Sequence, residues 1–130
     1  MLLIVDENFT VLHTNIYRVN GYQSTTAILE SSNGDFLIAG WNAPDLFDTN
    51  SRRPIIYKID GITLDIETIK ILEGDYSFYF TSFIELNGNE KDILLSGTYT
   101  NYGLASLQPS LILLDSTVSN VKWRKSIWIQ

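Results

Sequence analysis

Apolar residues fall in short runs rich in β-branched and aromatic side chains, and the runs are bounded by Asn-Gly, Asp-Gly or Pro. Branched side chains pack well on a pleated surface and the bounding residues turn the chain, so such runs predict strands. The clearest are residues 24–30, 35–40, 55–60 and 66–71. Asn33-Gly34 between the first two is the strongest hairpin signal, because both residues tolerate positive φ. Asn87-Gly88 holds the equivalent place further on, and Asp60-Gly61 starts another turn. No window carries sustained helical periodicity with caps, which predicts very little helix.

The strand pattern repeats. Leu2-Leu3-Ile4-Val5-Asp6, Ile56-Tyr57-Lys58-Ile59-Asp60 and Leu111-Ile112-Leu113-Leu114-Asp115 resemble one another, with their aspartates spaced 54 and then 55 residues apart. Pro54 and Pro109 precede the second and third copies at the same place. Between them, Thr26-Ala27-Ile28-Leu29-Glu30 corresponds to Thr81-Ser82-Phe83-Ile84-Glu85 at an offset of 55. Phe36-Leu37-Ile38-Ala39-Gly40 corresponds to Ile93-Leu94-Leu95-Ser96-Gly97 at 57. The two extra residues fall in the turn at 87–91, and the following loop is two shorter. Insertions confined to turns are the mark of a structural repeat.

Four antiparallel strands in a unit of about 55 residues make the meander of a β-propeller blade. The stretch Gly34-Asp35-Phe36-Leu37-Ile38-Ala39-Gly40, a loop, then Ile56-Tyr57-Lys58-Ile59-Asp60 resembles repeats of bacterial secreted or lipoprotein β-propellers with quinoprotein-like blades. Residues 115–125, with Trp123 in the tryptophan position, resemble the closing element of that blade. Asn33 stands for the usual aspartate, Asp35 for the second glycine and Asn120 for the glycine before the tryptophan; Thr14 and Thr68 stand where Trp123 does. The resemblance implies a blade-type fold with an extracellular or periplasmic setting, and no catalytic residues.

On that frame the first strand of a blade, the Thr25/Thr26 run, lies nearest the axis, and the fourth is a charged, solvated edge at 66–71 or 121–128. The chain then opens with a third and a fourth strand (2–6, 11–17) and continues into two whole blades. The expected architecture is all-β and open: a half blade at 1–20, a blade at 21–72 and a blade at 73–130. Two and a half blades cannot close a ring that takes roughly four to eight. Met1 stands where Ile55 and Ser110 stand, so the chain begins inside a blade, as a piece of a longer propeller would. The bared end faces then predict self-association, or an origin in such a longer propeller.

Composition narrows the chemistry. Nine Lys+Arg against fifteen Asp+Glu give a net charge of -6, which argues against nucleic acid and anionic membranes as partners. The absence of cysteine removes disulfides, thiolate metal sites and cysteine nucleophiles. A single histidine, His13, rules out multi-histidine metal centres. Its alignment with Glu67 and Lys122 predicts a surface position on an outer strand. Hydrophobic residues at 45% exclude a disordered chain.

What remains as candidate chemistry is sparse. Asp6, Asp60 and Asp115 each open a tight turn, where a carboxylate caps nearby backbone N–H groups. Asp45, Asp48 and Asn50 offer oxygen ligands, but not at the alternating spacing of a calcium loop, and the matching loop at 98–110 has no acid. No metal or cofactor is expected. Trp41, Tyr99 and Tyr102 follow the second-strand glycines, on loops at one end of the blades. Two readings of them stand: stacking on a sugar or partner, or filling the space between blades. Lys122, Arg124 and Lys125 with Trp123 and Trp128 read as a charged edge strand, and Asn8-Phe9-Thr10 fits the N-glycosylation sequon. The expected function is a non-catalytic scaffold or protein-interaction module. A carbohydrate-binding module, or part of a propeller enzyme whose active site lies in other blades, is the alternative.

Overall fold

The computed structural model describes residues 1–45, 52–72, 77–101 and 104–126. It is all-β, with no helix among the described residues, and its three antiparallel sheets of 2, 4 and 4 strands do not close into a ring. β1 (Leu2–Val5) and β2 (Val11–Asn15) make the half blade. β3 (Tyr22–Glu30), β4 (Phe36–Ala43), β5 (Arg53–Ile59) and β6 (Ile66–Ile71) form a meander, the middle blade. β7 (Ser77–Glu85), β8 (Ile93–Asn101), β9 (Leu104–Leu114) and β10 (Val121–Ser126) repeat it as the C-terminal blade. Both meanders have the strand order expected from the repeat, and Asp60 and Asp115 fall at matching turns.

Each sheet buries its two faces differently. The forward face of the middle blade, with Leu37, Ala39 and Ile56, packs on the rear face of the C-terminal blade, with Phe83, Leu95 and Ile112. The rear face of the middle blade, with Ile38, Tyr57 and Ile59, packs on Leu2 and Ile4, the forward face of the half blade. The middle blade is therefore apolar on both sides, and its central strands read as continuous hydrophobic runs. The outer strands β6 and β10 are largely exposed, and the innermost strands β3 and β7 lie against each other.

Two irregularities recur and show why particular residues repeat. β3 bulges between Thr25 and Ala27, and β7 between Phe80 and Ser82. In each the extra threonine turns its hydroxyl to a second-strand carbonyl: Thr26 Oγ1 to Ala39 at 3.4 Å, Thr81 Oγ1 to Ser96 at 3.3 Å. The bulge drives the Ser24 carbonyl onto Gly40, where a β-carbon would stand 1.9 Å from the oxygen. Gly97 takes the equivalent place opposite Phe80. The second irregularity follows each aspartate turn, where the outer strand skips Leu12, Glu67 or Lys122 in its pairing.

Three expectations are corrected. Only Gly34 of the first Asn-Gly pair has positive φ (91°), and in the longer turn Lys91 takes it instead of Asn87 or Gly88. β4 runs on to Ala43 because Asn42 pairs with Arg53 and Gln23, so Trp41 lies within a strand; Tyr99 likewise lies within β8. His13 sits opposite Ile4, the place held by Thr68 opposite Lys58 and Trp123 opposite Leu113. It is thus equivalent to Thr68 and Trp123, not to Glu67 and Lys122, because the turn after Asp6 is one residue shorter. His13 is half-buried, with its Nε2 closed off from solvent, not a surface side chain.

Candidate functional site

The aspartate turns are built from the backbone outward. Asp6 Oδ1 accepts from the N–H groups of Asn8 and Thr10, both at 2.8 Å. Asp60 Oδ1 accepts from those of Ile62 (2.8 Å) and Thr63 (2.6 Å). Asp115 accepts from the Ser119 N–H, the Thr117 hydroxyl and the Asn120 amide. Each turn also carries one apolar residue in the left-handed region: Phe9, Leu64 and Val118, with φ of 62°, 61° and 63°. Such a conformation is costly for a side chain of this kind. Leu64 and Val118 recover that cost by burial, at 8% and 0% exposed, each in the apolar cluster shared with the preceding sheet.

A cluster that sequence reasoning missed lies beside the middle turn. Carboxylate oxygens of Asp35, Asp60 and Glu67 come within 4.8 Å of one another. The Lys58 ammonium occupies that space, 2.9 Å from Asp35 and 2.5 Å from Glu67. Asp35 further accepts from the Asn33 amide at 2.7 Å and the Gly61 N–H at 3.3 Å. Lys58 pairs with Asp35 and Glu67, and Asp60 accepts from its own turn, so the cluster is an ion-pair network with three carboxylates against one ammonium. The C-terminal blade solves the same problem in reverse. Leu113 replaces Lys58, Lys122 replaces Glu67, and Lys122 reaches Glu90 and Asp92, the latter at 2.7 Å. That reciprocal exchange of a cation between the third and fourth strands was the signal available in the sequence.

These contacts set the ionisation of the network. Burial pushes the Asp35 carboxyl up, but donation from Lys58, Asn33 and Gly61 outweighs it and holds the group below its ordinary value. The Thr63 and Ile62 N–H groups lower Asp60, and Ser32 lowers Glu85. Asp115 is raised by burial and, more strongly in sum, lowered by Asn120, Thr117 and Ser119. Carboxyls depressed in the folded state contribute stability above their unfolded pKa of about 4, lost as pH falls through the folded value. The urea midpoint is therefore expected to hold level from neutral pH to about pH 5 and to drop below about pH 4. A midpoint unchanged into strong acid would show that these carboxylates contribute nothing.

Of the three aromatic candidates, Trp41 is the one whose side chain lies among the described residues. Trp41 is half-buried, and the Arg52 guanidinium lies over its ring, 4.4 Å from the centroid. Tyr99 lies in β8, its backbone paired with Phe78 and Gln108, while Tyr102, Asp48, Asn50 and Trp128 are outside the described residues. Asp45 is exposed. Of the basic–aromatic group, Lys122 is taken up by Glu90 and Asp92, and Lys125 lies 5.4 Å from the Trp123 ring. Asn8 of the sequon sits in an exposed turn. A concavity of about 630 Å³ lies between the half blade and the middle blade, where Met1, Tyr17, Thr25, Ile38 and Tyr57 line it.

Repeated sheets stacked face to face, with turn aspartates spent on their own backbone, define an open propeller-like repeat module. No protein-family model matches the chain, and no curated protein and no solved structure matches it either.

Proposed function

We propose that the chain is a non-catalytic propeller-type scaffold, of the bacterial secreted or lipoprotein kind that its motifs resemble, and that it works through the faces of its blades. The observation that carries this reading is where the polar groups go. The repeated aspartates cap their own turns, and Lys58 and Lys122 pair with acids beside them. Large apolar side chains meanwhile stand open on the end sheets, among them Leu3, Val5, Ile84 and Trp123. Chains that expose contiguous apolar surface of this kind use it for association.

The rival use of the same molecule is glycan binding through Trp41. A glycan array on the wild-type chain, paired with Trp41→Ala, separates the two. The scaffold reading expects no saturable glycan binding, and a Trp41→Ala chain less stable by about 1–2 kcal/mol, since a packed ring and its Arg52 contact are lost. Saturable binding that vanishes in Trp41→Ala with an unchanged circular dichroism spectrum would overturn it.

A further inference from the structure

We propose that the forward face of the C-terminal blade receives the half blade of a second copy of this chain, head to tail. The proposal rests on the scaffold reading and names its partner and its polarity. It follows from the way the two interfaces inside the chain are built, because both use the same rows and the same bridging bond.

In the first interface the forward row of the half blade, Ile4–His13, meets the rear cluster of the middle blade. In the second, the forward row Leu29–Leu37–Lys58–Thr68 of the middle blade meets the rear cluster of the C-terminal blade. The third row of the series is Ile84–Leu94–Leu113–Trp123, and no sheet among the described residues covers it. Leu94 repeats Leu37, and Leu113 and Trp123 are more apolar than the half-buried Lys58 and Thr68 whose places they take. The open part of the row is at its two ends, where Ile84 and Trp123 are 51% and 36% exposed, while Leu113 between them is 9% exposed.

A hydrogen bond follows the same rule. Asn15 on the outer strand of the half blade donates to the Leu64 carbonyl, in the aspartate turn of the next blade, at 3.4 Å. Lys70, its equivalent in the middle blade, donates to the Ser119 carbonyl in the next aspartate turn at 2.8 Å. Lys125 is the third member of this series on β10. Its matching acceptor lies in the turn opened by Asp6, against which no sheet packs from that side among the described residues.

That turn holds the other half of the argument. Leu64 and Val118, in the left-handed conformation, are buried in the clusters that their blades share with the preceding sheet. Phe9 holds the same conformation and is 85% exposed. A large aromatic in a costly backbone conformation, without the burial that offsets it elsewhere, is a plug lacking its socket. With Leu3 and Val5 it makes up the open rear face of the half blade. A contact between two different faces is heterologous, so it propagates into a closed ring or an open filament.

Complementation tests this polarity. Phe9→Asp disables the rear face and Ile84→Lys the forward face, both at exposed positions where circular dichroism should show an unchanged fold. In sedimentation velocity the wild-type chain is expected to associate with rising concentration, and each variant alone to stay monomeric. A mixture of the two is expected to give a one-to-one dimer that grows no further, because each variant retains the face the other needs. Lys125→Ala should weaken association by about 5- to 10-fold, the loss of one exposed hydrogen bond to a carbonyl. A wild-type chain monomeric throughout the concentration series would overturn the head-to-tail partner, as would variants that fail to complement. Neither result touches the scaffold reading, which stands or falls on the glycan array.

Discussion

Ile56→Ala is expected to cost about 2–5 kcal/mol of stability, the range for truncating a buried isoleucine. Ile56 is 1% exposed at the centre of the forward face of the middle blade, in the cluster that joins it to Phe83, Leu95, Ile112 and Leu114. Alanine there removes apolar area and leaves a void between two sheets whose backbones are held by ladders on both sides, so neither can close over it. The loss should appear as a lower urea midpoint with an unchanged slope. Ile62→Ala is the control, since Ile62 is 93% exposed and its truncation should change the midpoint by no more than about 0.5 kcal/mol. Equal effects of the two substitutions would mean that the sheets do not share a core.

Gly40→Ala is expected to be comparably damaging for a different reason, at about 3 kcal/mol, the upper part of the range for overpacking. The β-carbon would lie 1.9 Å from the Ser24 carbonyl oxygen and 2.9 Å from the Thr25 α-carbon, both backbone atoms in the bulge of β3. A flexible side chain could swing aside; a bulge fixed by the ladder to β4 cannot. The strand pair must separate or the bulge must be lost, and losing it would shift every later residue of β3 to the opposite face. Gly88→Ala is the matched control, because nothing lies within 4 Å of its β-carbon site. Thermal unfolding of the two variants checks the contrast, and a Gly40→Ala chain as stable as Gly88→Ala would show that the bulge is not required.

Much of the fold was legible because it is written in local chemistry. The β-branched runs, the Asn-Gly and Asp-Gly turns and the recurring aspartates act within a few residues of themselves. The two four-stranded meanders therefore followed from the spacing of these runs and turns. The aspartates were also read correctly as turn caps, since their partners are two to five residues away. The candidate site was less legible. In the sequence Gly40 has the look of a strand end and puts Trp41 on a loop, yet the pairing of Asn42 with Arg53 extends β4 beyond it. The glycine marks close approach to the bulge, and a spacing pattern cannot separate that from a turn.

By itself the sequence determined that this chain is an all-β repeat, that its aspartates cap turns, and that it carries neither cysteine chemistry nor a multi-histidine centre. The tertiary structure alone decided the register of His13, the meeting of Asp35, Lys58 and Glu67, and the contrast between buried Leu64 and Val118 and exposed Phe9. The physical reason is reach. Turn caps and strand propensities act over a handful of residues, and one strand's pattern reveals them. Bulges, ion-pair networks and blade faces join residues far apart in the chain, and a residue's role there depends on which sheet stands opposite it.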